Sequence, residues 1–164
     1  MLKLTNDLLR EFLKNASRIA IVALGNELNR DDAAGILVGK KLIKRRLPKV
    51  DVFLAYQSPE AYLMKIIQGD YSHVIFIDAA EANVKPGEII VIEENEIIPE
   101  QFSTHRIPLH LILGSIKKSE KKILFIGIQR KLVGIGLDRS KEVLNAVKKL
   151  VKMLSSTIKE CLEN

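Results

Sequence analysis

The order of elements in this chain predicts an α/β fold: a five-stranded, mostly parallel sheet with helices on both faces and one antiparallel edge strand. Three observations carry it. Two short apolar runs, Ile19–Leu24 and the HVIFID stretch over 73–78, are bounded by turn signals, as strands buried on both faces are. Segments with helical spacing follow them, so strand and helix alternate through the first half. The 164 residues are 47% hydrophobic, enough for one sizeable core, and a single domain over 1–164 is expected.

The elements follow in order. Residues 5–14 read as an amphipathic helix with Leu8, Leu9, Phe12 and Leu13 on one side and Thr5 or Asn6 as cap, lying on the outside of the domain. After the strand Ile19–Leu24 comes an Ala-rich helix over 33–46, stopped at Leu47-Pro48. Val50–Tyr56 is a second strand. Ser58-Pro59-Glu60 opens a helix to about Gln68, closed by Gly69, and 73–78 is the third strand. Lys85-Pro86-Gly87-Glu88 is a turn, and Ile89–Ile92 has no crossover helix before it, which places it antiparallel at an edge. Residues 93–106 read as loop. Pro108 opens a helix to about Lys118, residues 123–128 form the last buried strand, and Ser140 caps a long terminal helix with Val143, Val147, Leu150 and Leu154 in its apolar stripe. No repeat and no low-complexity linker is present, unless residues 132–137, with two glycines, form a mobile loop.

Composition excludes several classes. The formal charge of +6 is unevenly spread: 11 Lys/Arg stand against 5 Asp/Glu over 1–49, 3 against 10 over 50–116, and 12 against 5 over 117–164. Much of the basic charge alternates with apolar residues on helices, as on a solvated face, and no tryptophan or aromatic interleaving marks a nucleic-acid platform. No apolar run is long enough for a signal peptide or membrane span, so a cytoplasmic monomer with neither nucleic-acid nor membrane partner is expected. Cys161, the one cysteine, allows no internal disulfide and is a poor candidate for a catalytic thiol. A nucleotide fingerprint, a G-x-S-x-G elbow and an H-E-x-x-H helix are all absent.

Ligands of an open parallel sheet gather outside the carboxyl ends of its strands. Three chemically apt residues fall there: Asp32 after the first strand, Asp78 at the end of the third and His105 in the loop before a helix. Two carboxylates and an imidazole are a divalent-metal set with positions left open for water or substrate, provided that the first and third strands are neighbours. Each has a plainer alternative. Asp31 can cap the following helix, Asp32 can be a solvated charge, Asp78 can bond loop N–H groups, and His105 can be solvated. His110 competes with His105 but falls inside the predicted first helical turn, and His73 lies at the wrong end of its strand.

The ordered motif series Leu24-Gly25-Asn26, Arg30-Asp31-Asp32-Ala33-Ala34-Gly35, Ile77-Asp78-Ala79, Pro86-Gly87-Glu88, Ser103-Thr104-His105 with Pro108-Leu109, and Gly127-Ile128-Gln129 resembles that of the hydrogenase maturation proteases. The likeness runs from about Ile19 to Val147 and leaves the N-terminal helix, within 1–17, outside a protease-like core over 18–164. It implies a three-layer α/β/α sandwich around a five-stranded twisted sheet. It implies an endopeptidase that trims the C-terminal extension of a nickel–iron hydrogenase large-subunit precursor. Carried over by position, it makes Asp32, Asp78 and His105 the nickel-recognising ligands, with the nickel supplied by the substrate and the resting enzyme metal-free. Asp32 or Asp78 can then activate the cleavage water. Many members have glycine at Ala23 and proline at Arg130, departures expected to touch no ligand; some have Glu at Asp32, one methylene longer. A non-catalytic nickel-handling or assembly factor for the same precursor is the alternative.

Overall fold

The computed structural model describes residues 1–93 and 109–163. A mixed sheet contains β1 (Leu2–Lys3), β2 (Ile19–Leu24), β3 (Val50–Tyr56), β4 (His73–Ala80), β5 (Ile89–Ile92) and β6 (Lys122–Gln129), in the order β1-β5-β6-β4-β2-β3. The helices are α1 (Asn6–Leu13), α2 (Ala34–Arg45), α3 (Leu63–Gln68), α4 (Leu109–Lys117) and α5 (Lys141–Leu162). β2, β3, β4 and β6 are parallel, and β2 lies directly beside β4, as the metal-set reading required.

Side-chain alternation sorts the apolar residues into two layers. Ile19 and Ile21 of β2, Ile75, Ile77 and Ala79 of β4, and Ile126 and Ile128 of β6 face a core shared with α1, α2 and α5. Ala20, Val22 and Leu24, Val74 and Phe76, and Phe125 face the opposite core, which holds Ile66 of α3 and Ile112, Leu113 and Ile116 of α4. The α/β sandwich is as predicted. Every residue of β2 and β4 is buried, so these strands read as continuous apolar runs rather than alternating ones.

Several details differ from the prediction. Six strands replace five, because Leu2–Lys3 pairs antiparallel with β5. Ile89–Ile92 is antiparallel to β6 as expected, yet it is not the edge, since β1 covers it. A two-residue strand carries too little pattern to be seen in sequence. The helices predicted over 33–46 and 58–68 are each entered through a tight 3-10 turn, Arg30–Ala33 and Pro59–Tyr62, and the strand expected to stop at Asp78 continues to Ala80. Finally, 132–137 is tied down at Gly136, whose carbonyl accepts from Arg30 N at 2.9 Å and whose N–H donates to Leu28 O at 2.8 Å. The predicted α1 lies on the α5 side, with Leu9 and Leu13 wholly buried.

Candidate active site

Two glycines bring the carboxyl ends of β2 and β4 together with the 3-10 turn. A Cβ on Gly25, whose φ is +141°, would fall 2.3 Å from the carbonyl oxygen of Asp32. That same oxygen accepts from Asn26 N at 3.0 Å, so the chain leaving β2 folds back over the turn that follows. Gly35, in the first turn of α2, would carry its Cβ to 2.2 Å from Leu24 O and 2.3 Å from Ile77 O. Only a residue without a side chain lets α2 sit on these two strand ends. Asp32 precedes that contact by three residues and Asp78 follows Ile77 directly, so both acids belong to one rim.

Asp78 is fully buried, and its Oδ1 accepts from Ala79 N at 2.8 Å. Its register partner on β6 is Gly127, which leaves that flank without a side chain. By strand alternation Asp78 falls on the layer that contains α3 and α4. Asp32 is 6% exposed, and its Oδ1 accepts from Arg130 Nη1 at 2.9 Å. The expectation that Arg130 touches no proposed ligand is therefore corrected. Arg130 directly follows β6 and so emerges on the same rim as Asp78. Its place was readable from the strand; its partner, 98 residues away in the chain, was not.

Asp31 does not cap α2, which has no side-chain cap. Its carboxylate is fully buried and turns instead to the loop after β6. Oδ2 accepts from Lys131 N (2.9 Å), Leu132 N (2.7 Å) and Ser140 Oγ (2.8 Å), and Oδ1 accepts from Ser140 N (2.8 Å). Burial pushes its pKa up, but the backbone donors Leu132, Ser140 and Lys131 and the Ser140 hydroxyl outweigh burial and hold it below the ordinary carboxylate range. Ser140 also accepts from Val143 N at 3.3 Å, capping α5 as predicted.

Gln129 completes the frame. Its Oε1 accepts from Ala82 N at 2.8 Å, and its Nε2 donates to Glu81 Oε1 and to Arg130 O, both at 3.0 Å. The segment after β4 is thus fastened to the end of β6. Sequence reasoning missed Asp31, Gln129 and Arg130 as a supporting set, although the pairing of an Asp with a distant loop leaves no local signal. His105 lies outside the described residues, as do residues 94–106 of the predicted loop and Pro108. His73 begins β4, at the end of the strand remote from Asp78. Among the described residues, no three His, Cys, Asp or Glu side chains group as a metal site.

An open α/β sheet with buried acids at its carboxyl rim has the arrangement of α/β proteins whose ligands gather outside the strand ends. Residues 36–157 match the family model of HycI, hydrogenase maturation protease. A Methanocaldococcus jannaschii protein assigned to the hydrogenase maturation proteases is 33% identical over 163 residues, covering 94% of this chain and 96% of its own length. The hydrogenase 3 maturation protease of Escherichia coli is 26% identical over 136 residues, covering 82% and 86%. The crystal structure of the nickel–iron hydrogenase maturation protease HycI from Thermococcus kodakarensis superimposes with a TM-score of 0.83 at 28% identity, covering 96% of this chain and 99% of that one. The chain belongs to the hydrogenase maturation protease family and is a peptidase acting in hydrogenase maturation. No described helix is long and apolar enough to cross a membrane.

Proposed function

We propose that this chain removes the C-terminal extension of a nickel–iron hydrogenase large-subunit precursor that already holds its nickel, and that it recognises that metal through Asp32, Asp78 and His105. The observation that carries the reading is the placement of two nearly inaccessible carboxylates by the carboxyl rim of adjacent parallel strands, Asp78 two residues before the end of β4 and Asp32 in the 3-10 turn that follows β2. Carboxylate oxygens gathered on one rim suit a divalent cation. His105 stands in the chain just before α4, whose short link to β6 over 118–121 turns its Leu109 end toward that same rim.

Nickel enters as part of the substrate. Bound to the precursor it supplies a Lewis-acid centre, and Asp32, Asp78 and His105 complete its coordination when the two proteins dock. The cleavage water would give its proton to Asp32 or Asp78 acting as base, and contact with the metal would make that water more acidic. Asp31, Gln129 and Ser140 position this rim and do not touch the reacting atoms. The protein works as a cytoplasmic monomer.

The test is the mass of the large subunit before and after incubation with the protein, for nickel-loaded and nickel-free precursor. Loss of one C-terminal peptide from the nickel-loaded form alone is expected. Equal cleavage of the nickel-free form would overturn metal recognition.

A further inference from the structure

Arg130 places a permanent positive charge against one member of the acid pair. Its Nη1 lies 2.9 Å from Asp32 Oδ1, with side-chain exposures of only 13% and 9%, so solvent and salt screen the pair weakly. The guanidinium has a second, longer acid contact, and the backbone that bears it is fixed on both sides. Its Nε is 3.5 Å from Glu81 Oε2, its backbone N–H donates to Ala80 O at 3.1 Å, and its carbonyl accepts from Gln129 Nε2 at 3.0 Å. A fixed cation beside a dication site repels the dication and competes for its ligand oxygen.

We infer that Arg130 is a specificity-determining residue that suppresses capture of free divalent cations by Asp32 and Asp78, so that only metal delivered within a docked protein substrate engages them. The inference rests on the reading of Asp32 as a ligand. Without the guanidinium, two carboxylates on one rim attract a free dication more strongly. With Arg130 on Oδ1, a free ion meets a neutralised Asp32 and gains too little to displace the guanidinium. A precursor brings the contact energy of a protein interface as well as its metal, and that energy offsets the loss of the Arg130–Asp32 bond.

The probe is Ni2+ alone, titrated calorimetrically into the full chain. Arg130→Ala and Arg130→Gln are expected to bind Ni2+ about tenfold or more tightly than the parent, while Arg130→Lys stays near the parent because it keeps the charge. Asp32→Asn combined with Arg130→Ala should abolish the gain, and free Ni2+ should inhibit precursor processing by Arg130→Ala at lower concentration than it inhibits the parent. A merely structural arginine would lower the melting temperature and leave Ni2+ affinity unchanged or weaker. Unchanged or weaker binding by folded Arg130→Ala or Arg130→Gln, or binding by Arg130→Lys as tight as by Arg130→Ala, overturns the inference. If Asp32→Asn alone loses processing while Ni2+ affinity in Arg130→Ala is unchanged, the inference fails and the ligand reading stands. Parental processing by Asp32→Asn overturns both.

Discussion

The two rims of the sheet carry similar residues and treat them in opposite ways. At the amino rim, Arg18 precedes β2, Asp51 lies near the start of β3, and Asp70, Tyr71 and Ser72 lead into His73. Arg18 pairs with Asp51 at 2.7 Å and with Asp70 at 3.0 Å, Tyr71 OH donates to Asp51 at 2.6 Å, and Ser72 Oγ lies 2.8 Å from His73 Nδ1. The two acids keep 40% and 75% of their side-chain surface in solvent. At the carboxyl rim, Asp31, Asp32 and Asp78 are almost wholly withdrawn from water. A set of acids, arginine and histidine therefore does not define a site. What distinguishes the carboxyl rim is the burial of its acids, since desolvation makes each of their interactions strong.

The contrast can be broken first at the chemistry. Asp32→Ala and Asp78→Ala should each lower the rate of precursor processing by more than about a hundredfold, beyond the loss typical of groups that only orient a ligand. Asp51→Ala should process at the parental rate. Mass spectrometry of the timed reaction reads both, and a large loss in Asp51→Ala would erase the distinction between the rims.

Next comes the frame. Asp31→Ala leaves the N–H groups of Lys131, Leu132 and Ser140 without their acceptor, and should lower stability by about 3–5 kcal/mol in denaturant titrations. Because the fold lowers the Asp31 pKa, the unfolded chain binds its proton more readily than the native one. Its contribution is complete above the unfolded value of about 3.9 and disappears as pH falls through the lower native value. The stability gap between parent and Asp31→Asn should accordingly narrow below about pH 4.

Gly35→Ala should cost about 1–3 kcal/mol, because its methyl meets the Leu24 and Ile77 carbonyls and α2 must lift off the sheet. That shift moves Asp32 relative to Asp78, so processing should fall while the melting temperature drops only modestly. The smallest effect belongs to the amino rim. Burial first, and then the hydrogen bond to Asp51, push the Tyr71 pKa up to about 12. Since the native value exceeds the unfolded one of about 10, this tyrosine's contribution is present below pH 10 and is lost as pH rises toward 12. Ultraviolet titration should show Tyr71 ionising earlier in Asp51→Asn; an unmoved titration would show that burial alone sets it.

The apolar runs of β2 and β4 and the stripe of α5 were legible because period and length depend on neighbouring residues alone. The same holds for Ser140 as a cap and, to within two residues of the strand end, for the rim position of Asp78. Even the antiparallel sense of β5 was readable, from a connection too short for a crossover. The strand Leu2–Lys3 was not, since two residues acquire strand geometry only by pairing with β5. Nor was the division of labour between Asp31 and Asp32. Adjacent carboxylates in sequence are equivalent until the loop after β6 arrives, presenting backbone N–H groups to one and a guanidinium to the other. Local pattern decides which segments pack and where they end; which partner a buried charge finds is decided by segments about a hundred residues away, through desolvation that exists only once the chain has folded.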